Sequence, residues 1–504
     1  MPPSRDPQRA LHLTLLAALL LLASCGSPPA PQPTSTAADS LTPASPAGTV
    51  PPALTGTPEP FVLPTPVPLE RPQYSLNVIL DYAAKTVSVE ESINYPNQTG
   101  ESLPGVTLAV VPNLWPDCFT LESLTVGEYP VSNYTLTGQR LDVPLPQPLA
   151  PGGTLLLDIR YTLSLPYAAQ ADPNAERPRI FGYTGQQVNL TNWYPFVVPY
   201  DPGNGWVLHD PWFYGEHLVY EAADYDVTLR FAGLSSPPVV AASAPASQDG
   251  DALRYRLEAG RAFVFSLSPD FRVATAEADG VTVTSYYFPL FEVPGEAAAQ
   301  VSAQAVQVFS QRFGPYPHAS LSVVQGDFND GMEYSGLFYL SRDFYNLYDA
   351  TPNNYLVTVA AHETAHQWWF EKVGNDQALE PWLDEALCTY SERIFYADTS
   401  PNSLKDWWWP VRVDFYKPQG WLDISVYEGG GFRPYTDAVY LNGAHFLQDL
   451  HARIGDEAFY AFLKDYASQM AGMIATPDDF FHILGQHAGQ DISDLIHTYF
   501  RDPH

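Results

Sequence analysis

His362-Glu363-Thr364-Ala365-His366, followed after eighteen intervening residues by Glu385, places two imidazoles and two carboxylates at spacings that suit metal-assisted hydrolysis. Residues four apart share a helix face, so His362 and His366 can reach one divalent cation while Glu363 points into the adjoining solvent position as a general base. Glu385 supplies a third ligand. Two histidines and one carboxylate leave the fourth tetrahedral corner open, which is the pattern of catalytic rather than structural zinc, and one Zn2+ ion is expected. Cys388, one turn beyond Glu385, is a rival soft ligand, but free cysteine is commonly buried and it reads as a core residue.

Two helices must position these groups. Residues 353–371 read as the first, with Leu356, Val359, Ala360, Trp368 and Phe370 flanking the histidines and Gly374 as a stop. Residues 381–396 read as the second, with Pro381 near its start and Trp382, Leu383, Ala386, Leu387 and Tyr390 as packing residues. Upstream, short alternating runs at 86–95, 154–163, 225–231, 253–257 and 280–287 predict antiparallel sheets with one buried face. After Pro294 the period changes: 295–313 is helical, 321–325 is a β run, and further helices follow the Glu385 segment at about 440–454, 458–470, 477–487 and 494–500. The expectation is an α+β multidomain chain, with an antiparallel β domain over 73–280 and a catalytic domain with a mainly helical C-terminal half over 281–504.

At the N-terminus, Arg5 and Arg9 precede an apolar run, Leu11 to Ala23, too short to cross a bilayer as a helix, so it reads as an export signal. Leu22-Ala23-Ser24-Cys25 resembles a bacterial lipobox, which implies cleavage before Cys25 and lipid attachment to its thiol, so residues 1–25 are expected to be a signal peptide and the chain an extracytoplasmic, membrane-tethered lipoprotein. Residues 26–72, rich in Pro, Ser and Thr, cannot bury a core and read as a disordered tether. A formal charge of −32, from 56 acidic and 24 basic residues, excludes nucleic acid as a partner. Besides Cys25 only Cys118 and Cys388 remain, so no disulfide framework is expected.

His362 to His366 with Gln367-Trp368-Trp369, then Trp382-Leu383-Asp384-Glu385, resembles the gluzincin aminopeptidases of the aminopeptidase N and leukotriene hydrolase family, whose catalytic domain is thermolysin-like. Gly331-Met332-Glu333-Tyr334 is similar to that family's G-x-M-E-N exopeptidase motif, with Tyr334 in place of Asn and Asp330 where Gly is usual. Tyr440-Leu441-Asn442-Gly443-Ala444 is similar to its Y-x-x-G-A motif. The resemblance implies that Gly331, Met332 and Glu333 bind the substrate, Glu333 taking the free amino terminus of a peptide, and that Tyr440 supports the transition state. Glu392, two turns after Glu385, and Asp384 beside it are both open as supports for a zinc-bound imidazole, with a helix-surface acid as the other reading of Glu392. Gln187 lies where the family often offers a polar contact, without a motif to align it. Only 138 residues follow His366, where larger family members add a helical domain that closes the active site. Aminopeptidase action is therefore the leading expectation, with an open-cleft zinc endopeptidase and a non-catalytic tethered zinc-binding module as alternatives.

Overall fold

Along Ala223–Ala232 the side chains of Tyr225, Val227 and Leu229 are buried while Asp224, Asp226 and Thr228 keep contact with water. That period of two is what a half-buried strand requires. In the computed structural model, which describes residues 70–168, 180–234, 236–328 and 331–502, this strand belongs to an eight-stranded sheet. The expected signal peptide, Cys25 and nearly all of the tether lie outside the described residues. The sheet order is Ala246–Asp249, Ala252–Gly260, Ala223–Ala232, Gln73–Asp81, Thr86–Pro96, Thr154–Ser164, Phe119–Val126 and Tyr129–Pro130. Neighbours are antiparallel except Gln73–Asp81 beside Ala223–Ala232, which run parallel. Two four-stranded sheets share its apolar core, in which Trp193 is fully buried and donates from Nε1 to the Phe263 carbonyl at 2.9 Å.

A second core forms on a five-stranded mixed sheet of order Arg272–Ala278, Val281–Tyr287, Ser320–Gln325, Leu337–Leu340 and Met332–Tyr334. This sheet begins at Arg272 rather than at Val281. Its first two strands are a hairpin across Asp279 and Gly280, both at positive φ (50° and 83°), and their alternation continues that of the preceding strands, so periodicity does not mark the change of sheet. Met332–Tyr334 is the edge strand, antiparallel to Leu337–Leu340. The helix Glu292–Phe313 buries Ala298, Ala299, Val306 and Phe309 against the sheet and against the helix Tyr355–Ala365.

The first site helix is shorter than its apolar spacing suggests, ending at Ala365 with His366 as its cap. Trp368 and Trp369 are both buried but serve different partners: Trp368 Nε1 donates to the Gly314 carbonyl at 2.9 Å and Trp369 Nε1 to Ser391 Oγ at 3.2 Å. Phe370, at φ 132°, then reverses the chain. The second helix runs over Trp382–Thr399. Beyond it, Leu404–Val413 and Asp437–Asn442 are π-helical, the former around Pro410, which has no amide hydrogen to give the regular ladder. Gly443–Ile454, Asp456–Gln469, Pro477–Ala488 and Ser493–Tyr499 complete the helical half. Among the described residues no helix is long and apolar enough to cross a membrane.

Candidate active site

Asn354 starts the first helix by accepting from the Val357 amide at 3.1 Å, and one face of that helix then carries both histidines inward. His362 Nε2 lies 3.1 Å and His366 Nε2 3.6 Å from the same oxygen, Glu385 Oε2, and all three side chains are buried. The structure thus brings together the three expected ligands, whose donor atoms fall within 4.8 Å of one another. Two imidazole nitrogens and a carboxylate oxygen form a donor set of the class zinc prefers.

The outer ring nitrogens are held as well. His362 Nδ1 is 3.0 Å from Glu392 Oε1, and His366 Nδ1 is 3.1 Å from the Trp369 carbonyl. Both acceptors require Nδ1–H, which leaves the Nε2 lone pairs facing the gap beside Glu385. Burial works against a charged His362, yet Glu385 and Glu392 on either side hold its pKa up at about 9. A proton is therefore demanded where a cation would sit, so the residues fit a divalent metal.

Glu392 is not a surface acid. It is fully buried, and its Oε2 accepts from Trp408 Nε1 at 2.8 Å and Arg412 Nε at 3.0 Å, while Oε1 also accepts from a terminal nitrogen of Arg412 at 2.7 Å. Burial penalises its charge, but Arg412 and His362 outweigh that and keep its pKa below the usual carboxylate value. Asp384 is placed differently: its Oδ1 accepts from the Glu385 amide at 2.8 Å and its Oδ2 from Gln377 Nε2 at 2.9 Å, so it braces the start of the second helix.

Glu363 is buried beside the histidines, with Oε2 lacking a hydrogen-bond partner among the described residues. Burial, reinforced by Glu333 and Glu385 and opposed by both imidazoles, pushes its pKa up to about 8; a divalent cation at the histidines would draw it down again. A Cβ at Gly331 would come within 3.1 Å of Glu363 Oε1, so the edge strand reaches the base only because that position is bare backbone. Met332 is half-buried and packs toward the β half. Glu333 is buried and accepts from Gln377 Nε2 at 2.8 Å, the same amide nitrogen that serves Asp384.

Glu216 joins this group from the β half. It keeps partial contact with water although protein surrounds it closely, and burial together with Glu333, Glu385 and Asp384 raises its pKa well above the usual range. Burial also raises Glu333 and Asp384. The site therefore carries an excess of acids around the histidines, an environment for cations.

Tyr440 stacks on His362 with ring centroids 6.0 Å apart and donates its hydroxyl to Glu385 Oε1 at 2.5 Å. Gly443 explains the shape of its motif: a Cβ there would lie 2.5 Å from that of Ala386, so the two helices touch backbone to backbone just past Glu385. Tyr435, fully buried 5.9 Å from the Tyr440 ring, has no partner for its hydroxyl among the described residues.

Gln187 is absent from this gathering; its Nε2 donates to Asn189 Oδ1 and Ser266 Oγ, both at 3.1 Å, and its Oε1 accepts from the Asp327 amide, which makes it a brace between the β half and the loop after Ser320–Gln325. Cys388 is fully buried with its sulfur 3.8 Å from the Trp369 carbonyl, and burial raises its thiol. Gln377, Trp408, Arg412, Tyr435 and Glu216 belong to the site without any motif that singles them out.

Comparison with known proteins agrees with this geometry. Residues 297–499 match the model of the Peptidase family M1 domain. Aminopeptidase M1 of Arabidopsis thaliana is 27% identical over 242 residues, covering 44% of this chain and 27% of that protein. Aminopeptidase N of Lactobacillus delbrueckii subsp. lactis is 26% identical over 231 residues, 40% of this chain and 26% of that one. The chain thus spans about a quarter of the length of the curated relatives it matches. The M1 zinc metallopeptidase of Deinococcus radiodurans shares the fold, with a TM-score of 0.63 at 18% identity over 86% of this chain and 94% of that one. The motif helices, the edge strand and the family match fall on the same segment, residues 297–499, which is similar to the Peptidase family M1 domain.

Proposed function

We propose that this chain is a zinc-dependent aminopeptidase that removes the N-terminal residue of peptides. The observation that carries the reading is the meeting of His362 Nε2, His366 Nε2 and Glu385 Oε2 within 4.8 Å, with Glu363 on the same helix and Glu333 on the adjoining edge strand. Zinc bound there would polarise a scissile carbonyl and make a water more acidic. Glu363 would take the proton of the attacking water and return it to the leaving amine nitrogen. Glu392 and the Trp369 carbonyl fix both imidazoles through Nδ1, so the ligand nitrogens need no reorientation.

Glu333 and Glu216 give an ammonium group two charge-assisted acceptors, which would set the first peptide bond in register with Glu363. Tyr440 has a hydroxyl beside the ligand carboxylate and would donate to the developing oxyanion. A mutant form of the Deinococcus radiodurans relative has been solved bound to a Tyr-Ser-Ala substrate, in keeping with peptides as the substrate class.

The test is hydrolysis of aminoacyl reporter substrates, free and N-acetylated, with and without a chelator. Turnover confined to free amines and abolished by chelation supports the proposal. Equal turnover of the acetylated form points to an endopeptidase, and zinc bound without turnover to a binding module.

We also propose export and tethering through a lipid on Cys25, on the strength of the apolar run and the lipobox-like residues before it. Cys25→Ser should then move the protein from the membrane fraction to the soluble one.

A further inference from the structure

Between Trp206 and Ala223 the β half sends out an irregular segment that is seated on the helical half by its own side chains. His209 Nε2 lies 2.7 Å from Asp376 Oδ2, and the Asp210 carbonyl accepts from the Tyr427 hydroxyl at 2.6 Å. Trp212 meets the edge of Tyr427 at 5.3 Å. Tyr214 accepts from the Gly431 amide at 3.1 Å through its hydroxyl, and its ring lies 5.2 Å from that of Tyr435. Both ends are clasped by one buried side chain: Gln139 Nε2 donates to the His209 carbonyl at 2.7 Å, and its Oε1 is 3.2 Å from His217 Nε2. A surface segment with its ends held together in this way behaves as a unit, in the manner of an Ω-loop.

Glycines let the two surfaces lie flush. At Gly215, φ +72°, an added Cβ would come within 2.6 Å of Val426 Cγ1 and 3.1 Å of the Tyr435 hydroxyl. Opposite, a Cβ at Gly429 would sit 3.0 Å from the Tyr214 hydroxyl. The residue after Gly215 is Glu216, so the close approach of the segment brings that residue to the wall formed by Val426 and Tyr435, where the charges of Glu333, Glu385 and Asp384 help to raise its pKa. Tyr435, packed on Tyr214 and 5.9 Å from the Tyr440 ring, joins the seat of the segment to the metal-facing wall.

Resting on the aminopeptidase reading, we propose that residues 207–222 form a clasped strap in which Gln139, Tyr214 and Gly215 are positioning residues that seat Glu216 in the acid cluster, so that the β half sets the demand for a free amino terminus. The strap acts on recognition of the amine, not on the chemical step. Its failure therefore shows in KM for free-amine substrates while zinc content stays intact.

The experiment compares the parent with Gly215→Ala, Gln139→Ala, Glu216→Gln and the Gly215→Ala/Glu216→Gln double variant of the full chain. A leucyl reporter gives kcat and KM, metal analysis gives zinc content, and hydrogen exchange follows the amides of 209–217. Loss of one acceptor for a charged group predicts a KM raised roughly ten- to a hundred-fold in Glu216→Gln. Gly215→Ala and Gln139→Ala should raise KM in the same direction with kcat changed less, speed strap exchange, and keep zinc. The double variant should be no worse than Glu216→Gln alone, since both act through one carboxylate. Faster strap exchange with parental KM, or additive losses in the double variant, would overturn the inference. A parent that cleaves acetylated and free substrates alike removes the amine reading and this inference with it, and is told apart because in the strap's own failure the parent still discriminates.

Discussion

His362 Nδ1 and Glu392 Oε1 stand 3.0 Å apart, and the same carboxylate is gripped by Arg412 and Trp408. A ligand imidazole is thus oriented by a buried acid that is itself held ionised by a buried guanidinium. Glu392→Gln keeps the shape but weakens acceptance from Nδ1–H, and outer-shell partners of this kind contribute about 10–100-fold in metal affinity. Competition titration of zinc against a chromophoric chelator should show a loss in that range, whereas an unchanged affinity would make Glu392 a packing residue.

Tyr440 is expected to act late. Removal of its hydroxyl in Tyr440→Phe takes away one donor to the oxyanion, a change of about 10²–10³ in kcat. KM should move little, because the ground-state peptide does not need that donor; steady-state kinetics that put the loss in KM would assign Tyr440 to binding instead.

Gly443 faces Ala386 at a distance no Cβ can share. Gly443→Ala forces the Tyr440 segment away from the Glu385 helix, with a cost of about 1–3 kcal/mol as overpacking. Urea unfolding should register that loss, and zinc affinity should fall with it, because Ala386 is the neighbour of a ligand.

In the β half, Glu91 is 2% exposed on Thr86–Pro96, and burial raises its pKa far above the carboxylate range, a contact with the Tyr161 hydroxyl offsetting only part of this. A folded-state pKa above the unfolded value of about 4.5 means stability that is full at low pH and lost as pH rises through that value toward the folded one. Glu91→Gln should remove this term, so its gain in unfolding free energy over the parent should be larger at pH 8 than at pH 5. An equal difference at both pH values would show that Glu91 does not titrate in this window.

The chemistry of the site was legible where it is local. His362, Glu363 and His366 declare themselves by helical spacing, and Glu392 shares the Glu385 face two turns on. The helix end was hidden, because Trp368 and Phe370 continue an apolar spacing although the chain has already turned at Phe370, φ 132°. Glu216 was hidden for a different reason: it lies on an irregular strap, which is seated by tertiary contacts of Tyr214 and Gly215 that no periodicity records. Trp408 and Arg412 sit in a π-helical stretch whose side-chain spacing departs from the regular 3.6-residue pattern.

The most direct measurement is zinc content and turnover of Glu363→Gln beside the parent. Bound zinc in both proteins, one ion per chain in each, with turnover of a free-amine reporter lowered roughly 10²–10⁴-fold in the variant, is the predicted result. Turnover equal to the parent's, or a parent that binds no zinc, would contradict the account.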